Sequence, residues 1–227
     1  MILAIDTATR WTGIALHDGH NIIAELGWHA VNKQTVELAP TVTDLLRKTD
    51  VQASALTGLA VTTGPGSYTG LRVGMGFAKG FALAHAVPLV GIGTLDVIVA
   101  AFGRLDVPLI PICEAGRKRV CAATYQYDDE QAWHVTVEPD IYTWDDLLAQ
   151  APAGSLFVGE ISAEKHALIQ QQGFLTAAPP YNVRRAALLA ELAVYRISQQ
   201  DYDDPASLVP IYLREPGGGK KATAAKS

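Results

Sequence analysis

An acid closes the first apolar run of this chain and hydroxyls follow it, in Ile2-Leu3-Ala4-Ile5-Asp6-Thr7-Ala8-Thr9. A carboxylate at the end of a buried strand, next to a hydroxyl-rich turn, can hold a magnesium–phosphate group: the acid takes the metal or its water, and turn amides meet phosphate oxygens. The same residues can instead cap the turn with local hydrogen bonds. Both readings stand for Asp6, Thr7 and Thr9. A second segment, Gly64-Pro65-Gly66-Ser67-Tyr68-Thr69-Gly70-Leu71-Arg72, sets a glycine-rich turn at the start of a helix. Such a turn is either an anion cradle or a tight strand-to-helix crossover. It is not a P-loop, because Leu71 and Arg72 stand where Lys followed by Ser or Thr is required.

Other chemistry is thinly represented. The six histidines, His17, His20, His29, His85, His134 and His166, form neither an H-E-x-x-H nor an H-x-x-x-H pair, so no zinc site of that kind is expected. There is no Gly-x-Ser-x-Gly elbow. Cys113 lies in an apolar run with no activating base to be identified, and an inert thiol is expected there. With Cys121 it reads as a pair of small buried hydrophobes in neighbouring strands.

The elements that must carry these residues follow from periodicity. Runs at Ile2–Ile5, Thr12–Leu16 and Asn21–Trp28 read as a three-stranded meander, with His17-Asp18-Gly19 as its turn. Val36, Ala39, Val42, Leu45 and Leu46 give helical spacing over 34–48. A strand at 56–62 breaks at the Gly64 turn, Ser67 can cap a helix over 68–86, and Pro88 stops it. A strand at 89–92 and a short helix over 94–103 follow. The order then begins again: strands at 107–113, 120–127 and 134–137, a helix at 144–150, a strand at 156–159, helices at 163–172 and 184–199, and a last strand at 209–213. An α/β fold with two mixed sheets and helices on their faces is expected. The domains divide as 1–103 and 104–214, followed by a Gly/Lys/Ala/Ser tail over 215–227 that reads as disordered.

The helix over 68–86 is unusual. Gly70, Gly74, Ala78 and Ala82 recur every four residues, and Gly76, Gly80 and Ala84 form a second row. Glycine inside a helix costs roughly 1 kcal/mol against alanine. Rows of small residues let another helix come close. Leu71, Val73, Met75, Phe77 and Phe81 surround them, so the helix is apolar on nearly every side and should be buried on more than one. The chain's own sheet can cover one side; a partner chain is expected on another.

Composition sets the class. The chain has 227 residues, 49% hydrophobic and 18% charged, with net charge −5. That supports a packed core and speaks against gripping a phosphate backbone as the main task. Local basic spots remain at Arg117, Lys118 and Arg119, and at Arg184 and Arg185. Two cysteines make no disulfide framework. Asp6 and Arg10 interrupt the apolar start, so no signal peptide is read there. The longest apolar region, around 77–90, carries Lys79 and His85 and falls short of a membrane span. A cytoplasmic protein is expected.

Together these segments resemble the TsaB family, the bacterial subunit of threonylcarbamoyladenosine biosynthesis in tRNA. The resemblance is carried by Ile2–Thr9 with Thr12–Leu16, most specifically by Gly64–Gly74 continuing through Ala78-Lys79-Gly80, and by 88–95 and Pro210–Arg214. It implies an actin-like (ribonuclease H-like) fold of two duplicated α/β domains. It also implies a non-catalytic role beside a paralogous transferase, TsaD, with an ATPase, TsaE, completing the assembly and tRNA met only through the complex. No cofactor of its own is implied; ATP or ADP with magnesium would sit at the interface of the complex. Pairing is implied through the helices over 34–48 and 69–86, giving Val36, Thr69, Gly70, Leu71, Arg72, Gly74, Met75, Phe77, Ala78 and Phe81 as partner-binding residues. Self-pairing through the same surface is implied for the chain alone. Asp6, Thr7, Thr9 and Glu114 are the nucleotide-binding candidates.

The chain departs from the family pattern where Gln34 stands in place of a frequent His, and where Glu114-Ala115-Gly116 replaces Asp-Ala-Arg. The competing reading is an ATP-dependent phosphotransferase using Asp6 and the Gly64–Gly66 turn. It needs a catalytic acid in the second domain, for which Glu114 is the candidate. For a metallopeptidase no ligands are found.

Overall fold

The computed structural model describes residues 1–30, 33–116, 118–128 and 132–213. Two five-stranded sheets share one topology. In the first, β1 (Ile2–Asp6) lies between β2 (Trp11–His17) and β4 (Gly58–Gly64), with β3 (Ile22–His29) and β5 (Leu89–Gly93) at the edges. In the second, β6 (Leu109–Glu114) is central, flanked by β7 (Val120–Tyr127) and β9 (Leu156–Gly159), with β8 (Trp133–Tyr142) and β10 (Leu175–Thr176) outermost. In both sheets the first three strands pair antiparallel as a meander, and the last two join in parallel. This is the duplicated actin-like architecture, and it places Asp6 and Glu114 at equivalent strand ends.

Alternation along β1 explains why its run is apolar throughout. Leu3 and Ile5 point to one face, where they meet Leu38, Val42 and Leu45 of α1 (Gln34–Lys48) and Met75, Ala78 and Ala82 of α2 (Tyr68–His85). Ile2 and Ala4 point to the other, against Ala186, Leu189, Ala190 and Ala193 of α6 (Ala186–Ser198). On that face Ala4, Ala15 and Ala60 of the sheet meet the alanines of the helix, so α6 can sit close to it.

The second sheet is covered by α3 (Thr94–Val99) on one face, through Leu95, Ile98 and Val99 against Leu109, Cys113, Ala123 and Val158. On the other face lie α4 (Trp144–Gln150) and α5 (Ala163–Gln171), whose Leu147 and Ile169 meet Ile110, Ile112 and Phe157. A division into 1–103 and 104–214 therefore does not describe the packing of two helices. Segment α3 belongs to the first half of the chain and covers the second sheet; α6 belongs to the second half and covers the first. Each helix follows the last strand of its own sheet and crosses to the other, because its apolar side matches the face left bare there.

Other boundaries differ for local reasons. No strand forms over 209–213: the Ile211 amide donates to the Thr63 carbonyl at 2.7 Å, and Leu208 and Leu213 pack against the two cores. Strand β8 is longer than its periodicity shows. It carries Pro139 beside a register shift on an outer strand, where a missing amide hydrogen is tolerated. Helix α3 ends at Val99, short of the expected 103. The tail over 215–227 lies outside the described residues. Among the described residues no helix is long and apolar enough to cross a membrane.

The crossing of α6 can be tested on one helix. Leu189 is fully buried against the first sheet, whereas Tyr195 is 69% exposed. Leu189→Ala should lower the unfolding free energy by about 2–5 kcal/mol, and Tyr195→Ala should change it by within about 0.5 kcal/mol, measured by urea denaturation.

Candidate functional site

The end of β1 meets the end of β9 through one buried arginine. Asp6 has no solvent exposure; its Oδ1 accepts from the Ala8 amide at 2.9 Å and from Thr62 Oγ1 at 3.1 Å. Its Oδ2 accepts from Arg184 Nε at 2.7 Å. The same guanidinium donates from Nη1 to Glu160 Oε1 at 2.9 Å, and from Nη2 to Thr9 Oγ1 at 2.7 Å and to the Trp11 carbonyl at 3.3 Å. Thr9 Oγ1 donates in turn to Glu160, whose other oxygen accepts the Glu114 amide at 2.8 Å. All three nitrogens of the guanidinium are thus bonded, and an ion fully removed from water is satisfied.

Burial opposes the charge on Arg184, but Asp6 and Glu160 outweigh it and hold the guanidinium more firmly protonated than usual. Burial by itself would raise the Glu160 carboxyl; Arg184, the Glu114 amide and Thr9 together bring it below the ordinary carboxylate range. Glu160 reaches this position because Gly159 turns the chain at φ 113°, where a Cβ would also meet the Ile112 carbonyl at 2.1 Å.

Of the candidates for a nucleotide, Asp6 and Thr9 are brought together, but around a guanidinium rather than toward a metal. The Asp6 oxygens together accept from three donors, the Ala8 amide, Thr62 and Arg184. Thr7 is buried and donates to the Gly70 carbonyl at 2.7 Å, so it seats α2. Glu114 points elsewhere, with its carboxylate 3.7 Å from Arg10 Nε at the surface. Periodicity and motif spacing missed Glu160 and Arg184. Glu160 follows a strand as Asp6 does, a signal that was present. Arg184 looked like a surface basic residue, and only the tertiary structure buries it. The neighbouring Arg185 does stay at the surface, paired with Glu25.

The helix α2 sorts the partner candidates into two sets. Gly70, Leu71, Gly74, Met75 and Ala78 are buried within the chain itself. A Cβ on Gly70 would lie 2.2 Å from the Thr7 carbonyl oxygen, and one on Gly74 would lie 2.2 Å from Thr7 Oγ1. The row Gly70–Gly74–Ala78–Ala82 therefore packs on the chain's own β1 and the turn after it, and Gly70, Leu71, Gly74, Met75 and Ala78 lie in the chain's own core. The second row faces out: nothing lies within 4 Å of a Cβ on Gly76 or Gly80. Beside it Thr69 and Arg72 are exposed, Phe77 and Phe81 are half-buried and stacked at 6.3 Å, and Leu83 is 68% exposed. Val36 of α1 is 69% exposed. At the start of α2, Arg72 lies 3.9 Å above the Tyr68 ring and donates to Tyr212 Oη at 3.0 Å. Gln34 is buried and donates to the Thr9 carbonyl at 3.1 Å, tying α1 to the turn after β1. Between the sheets, next to this turn, opens a cleft of about 510 Å³ walled by Arg10, Ser67, Tyr68, Glu114, Arg119 and Tyr212, among others.

Two equivalent sheets, an ionic clasp between their strand ends and an apolar helix stripe turned to solvent define the class: a duplicated actin-like protein. Comparison places it further. The family described as "TsaD: tRNA N6-adenosine threonylcarbamoyltransferase" matches residues 29–188. A Bacillus subtilis protein, tRNA threonylcarbamoyladenosine biosynthesis protein TsaB, is 30% identical over 94% of this chain and 93% of its own. The Escherichia coli protein of the same name is 33% identical over 59% of this chain and 58% of its own. The solved structure of YeaZ from Pseudomonas aeruginosa superposes with a TM-score of 0.73 at 20% identity, over 93% of this chain and 99% of that one. The chain belongs to the TsaB family.

Arg184→Met should cost about 3–5 kcal/mol, because it strands Asp6 as an unpaired buried charge. Adding Asp6→Asn should recover part of that loss, read by urea denaturation of the single and double variants. Acid should expose the Glu160 contribution. Its folded pKa lies below the ordinary carboxylate value, so its stabilisation is present above about pH 4.5 and is lost as pH falls through the depressed value. The stability difference between the native chain and Glu160→Gln should be constant from pH 7 to about pH 5 and shrink below about pH 4.5.

Proposed function

We propose that this chain serves tRNA threonylcarbamoyladenosine biosynthesis as a non-catalytic subunit that pairs with a TsaD-type transferase and supports its activity. The observation that carries the non-catalytic reading is the position of Arg184. A phosphotransferase built on Asp6 needs that carboxylate for magnesium, and here a guanidinium nitrogen lies 2.7 Å from its Oδ2. Membership of the TsaB family supplies the pathway, and the names of the Bacillus subtilis and Escherichia coli relatives support it.

The docking face in this reading is the outer stripe of α2 with the adjoining part of α1: Val36, Thr69, Arg72, Gly76, Phe77, Gly80, Phe81 and Leu83. Exposed aromatic and aliphatic groups beside two glycines suit the close approach of another helix. A TsaE-type ATPase completes the assembly, and tRNA is met within it. Magnesium nucleotide used by the complex is held where its subunits meet.

Two measurements test this reading. A threonylcarbamoyl-transfer assay with purified transferase, ATPase and tRNA should lose product when this chain is left out, and the chain alone should give none. Undiminished product on omission would refute the role. For the face, Gly80→Arg should keep the monomer folded and stabilise it by about 0.5–1 kcal/mol, because arginine is the better helix former at an open position. The same variant should no longer co-elute with the transferase. Gly74→Arg cannot serve in its place, since it strikes Thr7 and should unfold the chain.

A further inference from the structure

The two cysteines of the chain, Cys113 on β6 and Cys121 on β7, stand directly opposite each other in an antiparallel ladder. Their side chains lie on the same face of the second sheet, the one covered by α3, among Leu109, Ala123 and Val158. Facing residues of an antiparallel pair have Cα atoms about 4.5–5.5 Å apart, and a disulfide spans Cα separations of about 4.4–6.8 Å. The register therefore sets the two sulfurs within reach of a disulfide with the strands where they are. Their thiols are already in contact. Cys121 is hydrogen-bonded to Cys113, and that bond, with burial, pushes the Cys121 thiol far above its usual pKa. Cys113 directs its own proton elsewhere, donating from Sγ to the Pro65 carbonyl at 3.7 Å. Each thiol has one proton, so Cys121 must be the donor to Cys113 Sγ. A chain of donors thus runs from Cys121 through Cys113 to the Gly64–Gly66 turn of the first sheet. The two thiols differ in access: Cys113 is completely buried, whereas Cys121 keeps 2% exposure and forms part of the wall of the opening between the sheets.

We propose that Cys113 and Cys121 form an oxidation site, a dithiol that hydrogen peroxide converts reversibly into a cross-strand disulfide whose closure releases the Pro65 turn. The chemistry runs in two steps. Cys121, the accessible thiol, attacks the peroxide: its sulfur takes one oxygen as a sulfenic acid, the O–O bond breaks and one water leaves. The Cys113 sulfur then attacks the Cys121 sulfur. An S–S bond forms as the S–O bond breaks, and the hydroxyl leaves with the Cys113 proton as a second water. In sum the two thiols lose two electrons and two protons, and one peroxide is reduced to two waters. The proton that Cys113 loses is the one it donates to Pro65. Oxidation therefore removes a bond between β6 and the turn just before Ser67, the residue that caps α2. The thiolate is the reactive form, and Cys121 is held protonated, so the reaction is slow and answers sustained exposure to oxidant. Cys113, expected to be inert for want of an activating base, gains a facing sulfur that spacing along the sequence did not show. The proposal is independent of the role in tRNA modification, because the isolated chain tests it without any transferase.

Prolonged treatment of the folded, full-length chain with millimolar hydrogen peroxide, followed by thiol blocking and mass spectrometry, tests this. The native chain should lose two hydrogens, show a link between Cys113 and Cys121 in its peptide map, and return to the starting mass with dithiothreitol. It should remain a single chain on a non-reducing gel. Amide exchange at Ser67 and Gly70, which bond the Ala8 carbonyl and Ser67 Oγ, should be faster in the oxidised form than in the reduced one. In Cys113→Ala, Cys121 should pass to sulfinic acid with no disulfide formed. In Cys121→Ala, Cys113 should keep its thiol under the same exposure, because it has no access of its own. Should either variant fail to fold, the native chain decides the matter alone. Two thiols that stay free in the folded chain but link in urea, a disulfide between chains in place of one within the chain, or unchanged exchange at Ser67 and Gly70 would overturn the proposal. So would equal oxidation of Cys113 when Cys121 is absent.

Discussion

A single buried cation organises this molecule. Arg184 stands between Asp6 on the central strand of the first sheet and Glu160 just beyond the second sheet's β9, and it also bonds Thr9 and the Trp11 carbonyl. An ion in this position is stable only if every donor is matched, so the strand ends, the turn after β1 and the approach to α6 must all be in register at once. Arg184 lies two residues before α6. Fixing it fixes where that helix starts, and Glu25 on β3 completes the start by accepting the Ala187 amide at 3.0 Å. A carboxylate at a helix N-terminus is favourably placed against the helix dipole. The clasp therefore joins the sheets and at the same time seats the helix that covers one of them.

That helix belongs to an exchange. Following its sheet's last strand, each of α3 and α6 leaves the sheet that precedes it and covers the other one. The two sheets are not separate cores connected by a linker, since each lacks one face until the other half of the chain supplies it. Duplication accounts for the shared strand order. The differences between the halves lie at the strand ends, where Asp6 is buried against Arg184 while Glu114, its counterpart, turns to the surface and Arg10.

Helix α2 shows how one sequence pattern serves two purposes. Its two rows of small residues look alike in the sequence, with the same spacing and the same aromatic neighbours. Contact with Thr7 makes one row a requirement of the chain's own packing, whereas the other meets nothing and leaves a stripe of Phe77, Phe81 and Leu83 at the surface. Glycine at Gly76 and Gly80 has no intramolecular reason, and a cost in helix propensity without an internal return is consistent with a need at the outer face.

The sequence alone determined the succession of the five strands of the first sheet, the first four of the second, the limits of α1 and α4, the start of α2 and the strand-end acid at Asp6, while the short β10 went unread and a strand expected over 209–213 does not form. Periodicity of burial and the residues that stop helices are local, so they can be read in one dimension. It also carried the family, through the turn and helix from Gly64 to Gly80. Tertiary structure decided which face of α2 is inward, that Arg184 is buried and not at the surface, that Glu160 completes the clasp, and that α3 and α6 change sheets. Each of these depends on a partner far along the chain, 178 residues away for Asp6 and Arg184. An arginine's role is set by the carboxylates folded around it, and a glycine's by what would meet its missing side chain; neither is written in its neighbours.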